Sequence, residues 1–84
     1  MNKSLRKLAS LFGGSAIPNA GRTGRLDMEK HLIRETVFRQ CSAHIDPKRV
    51  FRNTFVHVVK AGFKSSVVRV YGHEIVVDNK YIKQ

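Results

Sequence analysis

The chain is short of most things that would give it covalent or catalytic anchors. It has one cysteine, Cys41, so no internal disulfide can form and extracellular scaffolds stapled by paired cysteines are excluded. Tryptophan is absent and only two prolines occur. No apolar run approaches the roughly 20 residues of a membrane-crossing helix, and no apolar stretch of the secretory type follows the basic start. The most informative scarcity is of acids. The six carboxylates fall within residues 27–46 and 74–78, and residues 1–26 and 47–73 have none.

What is present is positive charge. By segment the formal charge is +5 for residues 1–26, −1 for 27–46, +6 for 47–73 and 0 for 74–84, and +10 for the chain. Such a chain repels itself unless a polyanion lies close, and nucleic acid is the commonest polyanion. The 84 residues allow one domain at most. With 42% apolar residues the core is small, so incorporation in an assembly is expected to add to its stability.

Residues 1–26 read as a basic N-terminal arm. Leu5, Leu8, Leu11 and Phe12 fall at helical spacing among Lys3, Arg6 and Lys7, with Ser4, Ser10 and Ser15 nearby. Basic, serine-bearing and acid-free describes a mitochondrial targeting segment, and equally an arm lying on RNA or DNA. An amphipathic lipid anchor is a third reading, weakened by a helix of only about ten residues without Trp. Residues 13–25 hold four glycines and Pro18, so they read as a linker, neither helix nor central strand, that carries Arg22 and Arg25.

Residues 27–84 read as a small α+β domain: one amphipathic helix packed on a three-stranded antiparallel sheet. Met28, Leu32, Ile33, Val37, Cys41 and Ile45 recur at three- and four-residue steps and predict a helix over 27–45. Asp27 is its expected N-cap, and Asp46 and Pro47 end it. Strands are expected over 50–60, 66–71 and 74–78, with a short extension at Tyr81 and Ile82. A two-residue loop at Gly72 and His73 pairs Val70 with Ile75 and Val68 with Val77. The first turn, at Ala61 and Gly62, then puts Phe51, Phe55, His57 and Val59 on the aliphatic face beneath the helix and Thr54, Val56, Val58 and Lys60 on the other.

Catalytic and metal constellations are poor. His31, Cys41, His44 and His57 are ligand types, but His31 stands about 15 Å along the helix from Cys41. A thiol on the apolar face is an inert small hydrophobe. His31 and Glu35 at i,i+4 suit a surface hydrogen bond, His57 a core imidazole, and His73 a solvated turn tip. One carboxylate beside it, Glu74, cannot do two-carboxylate hydrolysis. No catalytic residue, metal ligand or cofactor is assigned, and no small-molecule substrate is expected.

Nucleic-acid contacts have broader support. Lys48, Arg49 and Arg52 cluster between helix and sheet, Lys60 and Lys64 flank the first sheet turn, and Arg69 and Tyr71 are placed on the outward hairpin face, with Tyr71 as a stacking ring and Arg69 on a phosphate. Lys3, Arg6, Lys7, Arg22 and Arg25 extend the set along the arm. No aromatic pair of the RRM type, no GXXG loop and no helix-turn-helix is present. Cations spread over arm, loop and sheet favour shape and backbone contacts, and a Gly/Arg tail can thread between RNA helices and order there. In general build the chain is similar to small ribosomal proteins. The expected function is therefore a non-enzymatic RNA-binding subunit of a large ribonucleoprotein, a mitochondrial or else cytoplasmic ribosome being favoured. Its partners would be structured RNA and neighbouring proteins, the chain being monomeric within the larger assembly and no membrane being expected. A small DNA-binding regulator, for example phage-encoded, and an accessory subunit of a mitochondrial membrane complex are the alternatives.

Overall fold

Val56 and Val58, Val68 and Val70, and Ile75 and Val77 stand two apart in three successive runs, and that period builds a sheet with one apolar face. The computed structural model describes residues 17–84. Its elements are β1 (Thr23–Leu26), α1 (Lys30–Cys41), a 3-10 turn (Pro47–Arg49), β2 (Thr54–Lys60), β3 (Ser65–Val70), β4 (His73–Asp78), a second 3-10 turn (Asn79–Tyr81) and β5 (Ile82–Lys83). The strands pair antiparallel in the order β4-β3-β2-β1-β5. Leu26, Val56, Val58, Val68, Val70, Ile75, Val77 and Ile82 make the inner face, and Ile33 and Val37 of α1 join them with Met28 and Val50. The fold is α+β with one helix on an antiparallel sheet, but the sheet has five strands, not three.

The two additional strands are β1, ahead of the helix, and β5, which falls where the short extension is expected at Tyr81 and Ile82. Thr23 to Leu26, which falls in the expected basic arm and as far as Arg25 in its Gly-rich linker, is an interior strand between β2 and β5. Gly24 makes this feasible: a Cβ there would lie 2.9 Å from the Lys83 carbonyl oxygen and 3.2 Å from Gln84 Cγ. A glycine that reads as a flexible joint thus serves close approach of two backbones.

The helix is shorter than its apolar spacing suggests. It starts at Lys30 behind Glu29, which makes no side-chain cap, and ends where Ser42 turns left-handed (φ 53°) and its N–H bonds the Phe38 carbonyl. Asp27 is not the N-cap. From Cys41 to Ile45 the half-buried residues alternate, Cys41, Ala43, Ile45, so Ile45 follows strand-like period 2 although its distance from Cys41 also fits a helix.

The hairpin between β3 and β4 turns at Tyr71 and Gly72, with φ of 50° and 80°, the two left-handed residues of a type I′ turn. Val68 therefore faces Ile75, Ser66 faces Val77 and Val70 faces His73, so His73 opens β4 and is not at the tip. The register expected from a Gly72–His73 loop is out by two residues. A left-handed Tyr costs roughly 1–2 kcal/mol, which is why the sequence points to the later loop. A slip of two keeps every side chain on its face, so the valines are buried as expected.

The face of β2 is opposite to expectation. Val56 and Val58 are buried, while Phe51, Phe55 and His57 are exposed. The pairing with β3 runs His57 to Arg69 and Val58 to Val68, then shifts so that Lys60 meets Val67. This bulge adds one residue to β2 and reverses the parity that a simple two- or four-residue loop imposes. His57 is consequently not a core imidazole.

Polar side chains fix the periphery. Gln40 of α1 donates from Nε2 to the Val76 carbonyl (2.9 Å) and accepts the Val76 N–H (2.8 Å), and the Cys41 thiol points at the Glu74 carbonyl at 3.5 Å. Gln84 does the same for Asn19, accepting its N–H at 2.8 Å and donating to its carbonyl at 3.3 Å. Asn79, 2% exposed, accepts the Ser66 hydroxyl at 2.6 Å and donates to the Gly62 and Phe63 carbonyls at 2.9 and 3.0 Å. That amide holds the β2–β3 loop. Asn79→Ala is expected to cost about 2–3 kcal/mol by stranding these partners, read as a fall in thermal midpoint on the order of 10 °C.

Candidate nucleic-acid interface

The cations do not form one patch. Lys48 and Arg49 sit on the first 3-10 turn, at the start of β2, where Asp46 accepts the Lys48 N–H at 3.0 Å and buried Val50 pins the chain. Lys60 and Lys64 lie at the far end of β2, about 20 Å away for a seven-residue strand. Arg22 belongs to this second end, since its carbonyl accepts the Val58 N–H. Arg25 belongs to the first, paired in register with Phe55 on one side and Lys83 on the other. Lys3, Arg6 and Lys7 lie outside the described residues.

Two expected phosphate ligands are engaged elsewhere. Arg52 Nε donates to Asp27 at 3.0 Å and its Nη1 meets Glu29 at 3.2 Å. The hydrogen bond that Arg52 donates to Asp27, then the charges of Glu29 and Asp27, push the Arg52 guanidinium further above its already high ordinary value. Arg69 Nη2 is bonded to Glu74 at 2.9 Å across the hairpin. Arg39 pairs with Glu35 at 3.6 Å, and Asp78 accepts the Lys80 N–H at 3.0 Å. Each of the six carboxylates therefore has a partner inside the fold. Arg25, Lys48, Arg49, Lys60, Lys64 and Lys83 have no carboxylate partner among the described residues.

Tyr71 is a clasp, not a free platform. The Thr54 hydroxyl donates to the Phe51 carbonyl at 2.6 Å. With its one hydrogen so used, Thr54 accepts from the Tyr71 hydroxyl at 2.7 Å, and the Tyr71 oxygen accepts the Phe51 N–H at 3.1 Å. The ring packs on the core, and these bonds offset the left-handed backbone.

The residues missed by sequence reasoning are the phenylalanines. Phe51 is 61% and Phe55 73% exposed, and both line a shallow depression with Lys48, Arg49 and Tyr71. Phe63, 83% exposed, stands between Lys60 and Lys64 on the loop held by Asn79. Gly62 in that loop has no room for a side chain, its Cβ position overlapping the Ser65 carbonyl. The available signal was Phe adjacent to cations at 51–52 and 63–64, overridden by the parity of β2.

Elsewhere, the His44 ring lies against Phe38 at a tilt of 38°, with 4.6 Å between ring centres, and Cys41 is half-buried. Among the described residues no three His, Cys, Asp or Glu side chains converge on a metal-sized space, and no helix is long and apolar enough to cross a membrane. No protein-family model matches the chain, and neither a curated protein nor a solved structure matches it. Tyr71→Phe is expected to lower stability by about 1 kcal/mol in urea denaturation; an unchanged midpoint would show that the phenol clasps nothing.

Proposed function

We propose that this protein is a non-enzymatic RNA-binding subunit of a large ribonucleoprotein, the ribosome being the favoured one, which it serves by neutralising and fixing folded RNA. The observation that carries the reading is the internal use of every carboxylate. The acids are matched to main-chain N–H groups or to Arg39, Arg52 and Arg69, so the exposed Arg25, Lys48, Arg49, Lys60, Lys64 and Lys83 are left without a carboxylate partner among the described residues. Uncompensated surface cations release counterions from a phosphate backbone on contact, and that release drives binding. Cations at both ends of β2 suit a partner that passes along the sheet. The acid-free, serine-bearing residues 1–16 support a mitochondrial setting.

The test is the salt dependence of binding to a structured RNA, followed by fluorescence anisotropy from about 50 to 200 mM salt. Replacing Lys48 and Arg49 by Ala is expected to reduce the slope of log K against log salt by roughly two. Replacing Arg52 and Arg69 is expected to leave it unchanged, since both are already spent on carboxylates. The reverse pattern, or no slope at all, overturns the proposal. A large preference for one DNA duplex at physiological salt would instead identify a regulator, and retention on anionic vesicles a membrane-associated subunit.

A further inference from the structure

We infer that the depression at Phe51 and Phe55 binds unpaired nucleotides, with bases stacked on the two phenyl rings and phosphates held by the cations around them. The inference rests on the RNA-binding reading above and names the part of the RNA that this surface takes. Two large rings stay in water, 61% and 73% exposed, although each adjoins a fully sunken valine, Val50 and Val56. The rings are therefore displayed by a rigid frame. Tyr71 fixes the main chain of Phe51 through its hydroxyl, and β1 fixes Phe55 by pairing it with Arg25.

The surroundings choose the ligand. Lys48 and Arg49 line the depression with the rings, while Arg25 and then Lys83 follow Phe55 across the sheet. Side chains directly opposite on neighbouring strands share a face, so the aromatic and cationic groups lie side by side. A protein partner for two phenylalanines would call for further apolar side chains around them, whereas Lys48 and Arg49 line this depression and no carboxylate does. Flat rings among cations match a nucleotide, which offers a π-face and a phosphate at a fixed spacing. The base must be unpaired, because inside a duplex both of its faces are covered by neighbouring pairs, and RNA bases are recognised chiefly where they are splayed out. Asn53 lines the same depression and supplies an amide able to pair with a base edge.

The experiment uses the full chain and three labelled probes: a ribo-oligonucleotide of about 12 nucleotides, its deoxy counterpart, and a blunt RNA duplex of equal length. 2-Aminopurine in the single strands reports stacking by loss of emission. Phe51→Ala and Phe55→Ala are each expected to weaken single-strand binding by about five- to a hundredfold, abolish the emission loss, and leave duplex binding unchanged. If either Ala variant has a lowered thermal midpoint, Phe55→Leu, which keeps apolar bulk without a flat ring, provides the same readout. Equal binding of duplex and single strand with the Phe variants silent overturns this inference alone. A wild-type chain that binds neither RNA overturns the RNA-binding reading itself. Equal affinity for the deoxy strand supports stacking, which ignores the sugar, and argues against an RNA-only role. A concentration-dependent dimer in sedimentation that Phe55→Ala abolishes overturns the inference, since the rings would then be covering one another.

Discussion

The extra residue in β2, at the step from Val58 to Lys60, determines which side of that strand is wet. Without it Val56 and Val58 would face solvent, and Phe55 and His57 would be driven beneath the helix. Interiors are packed to crystal-like density, and a layer sized for valines against Ile33 and Val37 has no volume for a phenyl and an imidazole. The bulge instead keeps the inner layer of β-branched residues thin and turns the rings outward. The outward position of Phe55, beside Arg25, and the inward position of Val56 and Val58 follow from this local irregularity.

Electrostatics complete what the strand begins. The exposed ion pairs contribute little to stability, but they decide where charge remains. Asp27 and Glu29 draw Arg52 back onto the β1–α1 junction, and Glu74 holds Arg69 against the sheet. Asp46 and Asp78 serve two copies of one device, an Asp whose carboxylate accepts the N–H two residues on at the head of a 3-10 turn. With Arg39, Arg52 and Arg69 so paired, Arg25, Lys48, Arg49, Lys60, Lys64 and Lys83 are left without a carboxylate partner among the described residues and lie toward the two ends of β2.

The helix α1, its buried Ile33 and Val37 and the three Val-rich runs were legible because they follow clean periods of 3.6 and 2. The inner faces of β3 and β4 survived an error of register because that error was an even number of residues. The sheet-forming role of Thr23 to Leu26 was not legible: glycine has the same letter whether it loosens a chain or admits a neighbouring backbone, and only the proximity of Lys83 distinguishes the two. Tyr71 in a left-handed turn and the bulge in β2 are likewise tertiary choices that oppose local preference. On the interface side, the sequence identified the sign of the surface and Lys48, Arg49, Lys60 and Lys64 as exposed. It could not show that Arg52 and Arg69 find carboxylates 23 and 5 residues away in the sequence, nor that Phe51 and Phe55 are outside.

The glutamine amide of α1 has a consequence for how this sheet meets other chains. An outer strand normally offers a row of free main-chain donors and acceptors onto which a foreign strand can zip. On β4 the Val76 peptide is already satisfied by Gln40, and at the opposite margin β5 is only two residues long. Growth by strand addition, the route to domain swapping and fibril formation, is thereby hindered at Val76 and finds only a short edge at β5. A foreign strand adding at β4 would first have to displace Gln40 from Val76.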